Sequence, residues 1–397
     1  MKIAFLMYSF IPQMGGAQIF AYNLINQLSA DNHEIHLYLP YKLYLQFTKV
    51  QNVNNYKVIP ILRHEYFTAK YWPGLIRMRL KLAQKIQQYD VWQVIGTYPA
   101  GWVAKDLAKI VPVILRSHGD DIQKDAKLEY GMGLNPYIDK KISKTLSKMT
   151  HLVALTESVK KCYQEYNIPE TKITEISNGV SLERFNRKVD SNILRKKYGI
   201  KNNQIFILTV GRYHIKKGYE YIPEAARFLK ENGISFKWVI VGKGVSILHS
   251  NLLERQVSDL VILKEEIGLN NSYGPNNSFN VPNDSLIQLY KSADLFVMPS
   301  IIETFGMVLI EAMAAGLPII TTNAPGCRDV VSNNYNGILV APKNSEALGK
   351  GILKVINNPN LKKSLIENGK NSVIKYDWGN IAREYEHLYH HAINKKN

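Results

Sequence analysis

Cysteine is almost missing from this chain. Cys162 and Cys327 are the only two in 397 residues and lie far apart, so no disulfide framework is implied and a reducing, cytoplasmic setting is expected. Long apolar runs are missing too. No stretch approaches the roughly eighteen apolar residues that a membrane span requires. The apolar opening from Lys2 to Tyr8 is soon interrupted by polar residues and Pro12, with no small-residue cleavage site, so it reads as a buried strand rather than a secretion signal. Acidic residues are in short supply, 33 against 50 Lys and Arg, for a formal net charge of +17. Residues 1–180 hold 22 basic and 14 acidic side chains and residues 181–397 hold 28 and 19, so no detachable basic tail accounts for the excess. A polyanionic partner is implied, whether nucleic acid, an anionic membrane or a phosphorylated substrate. No DNA- or RNA-binding motif is present, which disfavours the first. No Asp-x-Asp pair occurs, so a resident divalent ion is not expected. The nearest ligand-like spacing, His387, His390 and His391, falls in an amphipathic helical pattern and is read as a helix.

What is present is enough apolar sequence, 46% of the chain, to fill two cores. Buried strands are expected at 3–8, 34–39, 57–61, 90–95, 111–116 and 151–155, with helices at 16–30, 74–88, 99–109 and 138–148 between them. A second set of strands is expected at 205–210, 236–241, 260–263, 294–298, 318–321 and 337–340. Two doubly wound α/β halves follow. The polar, basic stretch from Leu182 to Asn203 reads as their linker, Asn270 to Asn283 as a long loop, and the chain from Asp377 to Tyr389 as a final helix.

Two carboxylates stand out, Glu303 and Glu311, eight positions apart across a strand-to-helix junction. The strand closes at Pro299 and the helix runs from Met307 to Ala315, ended by Gly316-Leu317-Pro318. Taken at helical rise, the separation is roughly 12 Å, about the distance from sugar to ribose in a nucleotide sugar. Ile301, Ile302, Val308, Leu309 and Ile310 embed the pair in apolar sequence, and the amides of Thr304, Phe305 and Gly306 can point at an anion between them. A diphosphate fits there. Gly211-Arg212-Tyr213-His214-Ile215-Lys216-Lys217-Gly218 follows the first strand of the second half, where Arg212 and Lys217 can reach one diphosphate from two sides. In the first half, Gly15-Gly16 opens a helix after the first strand, and His118 ends another strand, on the edge of an α/β sheet where ligands bind.

These segments resemble the retaining family 4 glycosyltransferases of the GT-B fold. Glu303 to Glu311 resembles the family's E-x7-E motif, Gly211 to Gly218 its G-R-x4-K-G signature, and His118-Gly119-Asp120-Asp121 its H-G-x-D segment. Gly15-Gly16-Ala17-Gln18 resembles its G-G-A-E loop, with Gln18 in place of Glu, and Asn178-Gly179-Val180-Ser181 its N-G-V-D turn, with Ser181 in place of Asp. The resemblance implies two Rossmann-like domains facing a cleft, residues 1–185 on the acceptor side and 186–376 binding the nucleotide sugar. It also implies a helix over 377–397 that returns to the first domain. It implies a UDP- or GDP-linked sugar as co-substrate, no cofactor and no metal. Catalytic roles fall to His118, Glu303, Arg212 and Lys217, and donor contacts to Gly15, Gly16, Thr304, Phe305, Gly306, Val308 and Glu311. The acceptor would be a glycan, glycolipid or lipid-linked sugar at the inner face of a membrane. A nucleotide-sugar 2-epimerase shares this architecture, and a non-enzymatic sugar-binding protein is a further alternative; product analysis separates them.

The segment Lys70 to Ile86 has two readings. Arg77, Lys81 and Lys85 share one face with Leu75, Leu82 and Ile86 opposite, which suits contact with anionic lipid. Packing of those apolar residues against the sheet is the expected reading, as any helix of a doubly wound domain needs such a face.

Overall fold

The computed structural model describes residues 1–13, 15–50, 55–62, 70–265 and 282–396. The chain divides into two compact units, one built from Met1–Asn178 and Trp378–Asn397 and the other from residues within Gly179–Asp377. The helix Leu182–Phe185, expected with the first domain, is part of the second. Most of the loop expected over 270–283 lies outside the described residues.

Among the described residues seven parallel strands form the sheet of the first unit: β1 (Lys2–Met7), β2 (Glu34–Leu39), β3 (Lys57–Pro60), β4 (Val91–Ile95), β5 (Val113–Arg116), β6 (His151–Ala154) and β7 (Ile173–Glu175), in the order β3-β2-β1-β4-β5-β6-β7. Register is set at the centre, where Phe5 of β1 pairs with Leu37 of β2 on one side and Gln93 of β4 on the other. The described residues of the second unit form six: β8 (Ile205–Val210), β9 (Phe236–Val241), β10 (Val261–Lys264), β11 (Leu295–Met298), β12 (Ile319–Thr322) and β13 (Ile338–Val340), ordered β10-β9-β8-β11-β12-β13. Both sheets are the doubly wound parallel kind that the alternating pattern predicted. Strands such as β1, β8 and β11 read as near-continuous apolar runs because helices cover both faces: Ile207, Trp238, Val297 and Ile320 are fully buried in one core. In each sheet the strand order reverses once, between β1 and β4 and between β8 and β11. The loops leaving those strands flank the crevice where α/β sheets bind ligands.

Three expectations need correction. The strand β7 was not foreseen, because three residues of an edge strand carry no periodic signal. The helix expected over 99–109 is broken into Thr97–Gly101, Trp102–Ala104 and Leu107–Lys109; Tyr98 is extended, and Gly101 packs so tightly that a Cβ would lie 2.5 Å from Leu115 Cδ1. The linker read over 182–203 is ordered structure of the second unit: its helix Ser191–Lys197 buries Leu194, and Arg195 pairs with Asp294 at 3.0 Å.

The helix Pro73–Gln87 departs further. It buries Ile76 and Leu80, not the residues expected to pack, and leaves Leu75, Leu82 and Ile86 exposed by 51%, 55% and 65%. At the end of the chain, Trp378–Asn394 is one helix whose buried face carries Trp378, Ile381, Tyr385, Leu388 and Tyr389. Tyr389 Oη donates to Gln93 Oε1 at 2.9 Å in the heart of the first sheet, and Glu386 pairs with His33 at 2.6 Å.

Candidate functional site

In the second unit, Gly211 and Gly218 bracket the loop after β8, and Gly218 has a left-handed φ of 64°. A Cβ on Gly218 would lie 2.2 Å from Pro299 O, so a side chain there would separate this loop from the one after β11. The backbones also join directly, Ile301 N donating to Lys216 O at 2.7 Å. This interlock carries Lys217 to Glu303. Their side chains form an ion pair, and Ser300 Oγ donates to the same carboxylate oxygen at 3.4 Å. Glu303 is only 5% exposed. Burial alone would raise its pKa, but the charges of Lys217 and Lys216 outweigh that and hold the carboxyl below its ordinary range. It is an anion at neutral pH.

Glu311 sits in the first turns of the helix Met307–Ala315 and is 5% exposed, yet no cation pairs with it among the described residues. Tyr290 Oη donates to its Oε2 at 2.8 Å from the neighbouring helix Asp284–Ser292. Burial pushes the Glu311 carboxyl up to about 7, with Tyr290 and the charge of Arg184 opposing the rise. The two carboxylates therefore differ in kind: the lysines hold Glu303 ionised at neutral pH, whereas Glu311 is poised to titrate. Only the final steps between them are helical, so the helical-rise separation does not hold over 303–306.

Gly306 precedes the helix with a left-handed φ of 78°, and no side chain caps the first turn. Its amides, at the positive end of the helix dipole, are a fitting receptor for an anion. Thr304 and Phe305 are buried at the same turn, Phe305 edge-on to Tyr376 at 5.5 Å, while Val308 is half-buried. Arg212 is exposed, with no carboxylate at ion-pair distance among the described residues. A Cβ on Gly242 would lie 1.9 Å from Gly211 O, so the loop after β9 supports the one that carries Arg212. Gly242 and Gly244 escaped the sequence reading, although two glycines after a strand are a legible sign of close backbone approach.

In the first unit, Gly15 is the N-cap of the helix Gly16–Ala30, with extended backbone and no side-chain cap. A Cβ there would lie 2.6 Å from Gln18 Oε1. The same helix carries Phe20, whose ring centroid is 5.3 Å from that of His118. The structure thus brings the Gly15-Gly16 end of this helix and the strand-end histidine into one region. Burial, reinforced by the charge of Arg116, holds His118 well below the usual histidine range, so its ring is neutral. Asp121, not the exposed Asp120, shapes this loop. Its carboxylate accepts from the amides of Thr97 (2.7 Å), His118 (2.8 Å) and Gly119 (2.9 Å). Arg116, fully buried, donates to Ile176 O at 3.0 Å, Asn178 Oδ1 at 2.6 Å and Tyr385 Oη at 2.6 Å, and its guanidinium lies 3.8 Å over the Phe20 ring. Asp121 was read only as the last residue of the H-G-x-D segment, with no role of its own, and Arg116 was given none because its partners are distant in sequence.

Among the described residues no three His, Cys, Asp or Glu side chains are placed to hold a metal ion. His387, His390 and His391 are exposed on the final helix.

Comparison with known proteins bears on the family and the fold. Residues 190–372 match the family model described as "Glycosyl transferases group 1", and residues 14–184 the one described as "Glycosyltransferase Family 4". The chain is 28% identical to an uncharacterized glycosyltransferase of Methanocaldococcus jannaschii over 99% of both chains. It is also 28% identical to the Escherichia coli UDP-Gal:alpha-D-GlcNAc-diphosphoundecaprenol alpha-1,3-galactosyltransferase, covering 80% of this chain and 81% of that one. In fold it is similar to an Anabaena protein crystallised with UDP and glucose, at a TM-score of 0.75 and 18% identity over 98% of this chain and 99% of that one.

Proposed function

This chain belongs to the group 1, family 4 glycosyltransferases of GT-B type, and from that premise we propose that it transfers a sugar from a UDP- or GDP-linked donor to an acceptor hydroxyl with retention of anomeric configuration. The acceptor is a glycan, glycolipid or lipid-linked sugar of envelope polysaccharide synthesis, reached from the cytoplasmic side of the membrane. The E. coli relative, whose name specifies a diphosphoundecaprenol-linked acceptor, supports that class.

The observation that carries the reading is the ion pair between Lys217 and Glu303, two residues 86 positions apart. It joins the basic loop after β8 to the carboxylate loop after β11 and explains why both motifs occur in one chain. Lys217 and the exposed Arg212 would hold the diphosphate and stabilise the charge that grows on it as the glycosidic bond breaks. The amides at Thr304, Phe305 and Gly306 would add to this, with Val308 beside them. Glu311 would accept both ribose hydroxyls, and Glu303, kept anionic and oriented by Lys217, would accept hydroxyls of the donor sugar. The first unit offers the Gly15-Gly16 backbone and the neutral His118 ring, which can donate or accept a hydrogen bond to a sugar hydroxyl. The departing phosphate oxygen would take the acceptor proton on the face of attack, so neither a metal nor a further general base is needed.

Thermal-shift screening against UDP-, GDP- and ADP-sugars identifies the donor, since a ligand that binds only the native state raises its stability. Proton NMR of the first product formed then reads the anomer: the donor's configuration is expected, and its inversion overturns the reading.

A further inference from the structure

The exposed apolar residues of the helix Pro73–Gln87 are not scattered. Leu75 (51%), Met78 (65%), Leu82 (55%) and Ile86 (65%) recur at spacings of three and four, which makes one stripe about 16 Å long. Tyr71 and Trp72, 54% and 60% exposed, extend it beyond the helix N-terminus. Ile76 and Leu80 already fasten the helix to its own unit from roughly the opposite side, so the stripe is surplus to folding. Contiguous exposed apolar surface of this kind marks an interaction site.

Charge identifies the partner. From Lys70 to Tyr89 there are five basic residues and no acidic one. On a helical wheel Arg79 borders the stripe on one side and Lys81 and Lys85 on the other, all three exposed. Cations beside an apolar strip, with Trp and Tyr at one end, are the composition that lies in the headgroup region of an anionic bilayer. A second copy of the chain fits poorly, because a self-complementary contact would bring these cations together with no carboxylate between them.

Position adds a consequence. The helix connects β3 to the parallel β4, so its N-terminus lies at the carboxyl edge of the sheet, the edge that also bears Gly15 and His118. Aromatic and cationic groups cluster at that end. Arg77, Lys105 and Lys141 lie 4.7, 5.0 and 5.3 Å from the Trp102 ring, and Lys141 lies 4.1 Å from the exposed Tyr137 ring.

We propose that Tyr71, Trp72 and the stripe Leu75-Met78-Leu82-Ile86 insert into the interface of an anionic phospholipid bilayer, with Arg79, Lys81 and Lys85 on the headgroups, so that the ligand-binding edge of the first unit faces the membrane surface. The test is co-sedimentation of the full chain with vesicles of phosphatidylcholine alone or with about one-third phosphatidylglycerol, at low and high salt. Partitioning onto the anionic vesicles is expected to be at least about tenfold stronger, to weaken with salt, and to shift Trp72 emission to the blue. Leu75→Ser/Met78→Ser/Leu82→Ser/Ile86→Ser and Lys81→Glu/Lys85→Glu should each lose about tenfold or more, with melting temperature unchanged because these side chains are exposed. Equal binding by parent and variants overturns the proposal. So does a failure of the parent to bind anionic vesicles, or a dimer in light scattering that the serine variant dissolves. Vesicle binding is read without donor or acceptor, so this result stands apart from that of the transfer assay.

Discussion

At the scale of single residues, the two glutamates of one motif obey opposite electrostatics. Glu303 is buried against two lysines and stays charged; Glu311 is buried against a tyrosine hydroxyl and titrates near 7. In the proposed pose Glu311 accepts hydrogen bonds from two ribose hydroxyls, one on each oxygen, and that arrangement requires the ionised carboxylate. Nucleoside-diphosphate affinity should therefore weaken as pH falls below about 7, by up to about tenfold per pH unit, and Glu311→Gln should flatten the profile. Calorimetric titration between pH 5.5 and 8 checks it. The stability of the ligand-free protein runs the other way. An unfolded glutamate has a pKa near 4.3, so between that value and about 7 the folded state holds a proton that the unfolded chain has released. This group accordingly favours folding more as pH falls through that window, and its contribution is level above it. Arg212 supplies a cleaner test of the phosphate clamp, because it is exposed and its removal leaves no buried charge. Arg212→Ala should lower kcat/KM by about a hundredfold, the scale of one preorganised donor, with an unchanged melting temperature. Parental turnover by this variant would remove Arg212 from the clamp. Lys217→Ala also reduces activity, but it strands a buried carboxylate, so its melting temperature must fall as well.

At the scale of elements, the functional loops are held by contacts that the strands only deliver. Asp121 gathers three amides of two loops, so Asp121→Ala leaves buried donors unpaired at roughly 1–3 kcal/mol each, while Asp121→Asn keeps an acceptor oxygen. The alanine variant should lower the melting temperature and activity together, and the asparagine variant should recover part of both. Gly218→Ala is a comparable test in the second unit. Its left-handed φ and the nearby Pro299 carbonyl leave no room for a methyl group, and the strain should cost about 1–3 kcal/mol and misplace Lys217. The helix Pro73–Gln87 illustrates how periodicity misleads. The 3.6-residue pattern correctly forecast an amphipathic helix, but Ile76 and Leu80 pack while Leu75, Leu82 and Ile86 do not. A pattern shows that an apolar face exists and is silent on whether protein covers it.

At the scale of the whole molecule, the chain closes its first unit with its last helix. Arg116, Gln93 and His33 all meet side chains between Tyr385 and Tyr389, so residues from both ends of the chain share one core. Truncation after Asp377 should expose the buried faces of Phe20 and β4 and give an aggregating protein, not a merely slower one; light scattering and circular dichroism of the truncated chain check this. Metal independence, which the proposed mechanism requires, is tested on the full chain. Transfer should survive excess EDTA, and a complete loss restored by Mn²⁺ would refute the proposed mechanism.

The order of elements, the two parallel sheets and the motif positions could be read in advance because they depend on local information: apolar runs of strand length, helix formers ended by glycine, and charged residues at strand ends. Of the thirteen strands among the described residues, twelve have that signature, and β7 is too short to carry one. Long-range contacts obey no such rule. That Lys217 meets Glu303, that Tyr290 holds Glu311, and that Arg116 reaches the final helix depend on which surfaces pack once both sheets have formed. The pKa of a carboxyl follows the same logic, since it reports burial and neighbours in space and not neighbours in sequence. Glu303 and Glu311 look alike in the chain, and only their packing makes one a fixed charge and the other a titrating group.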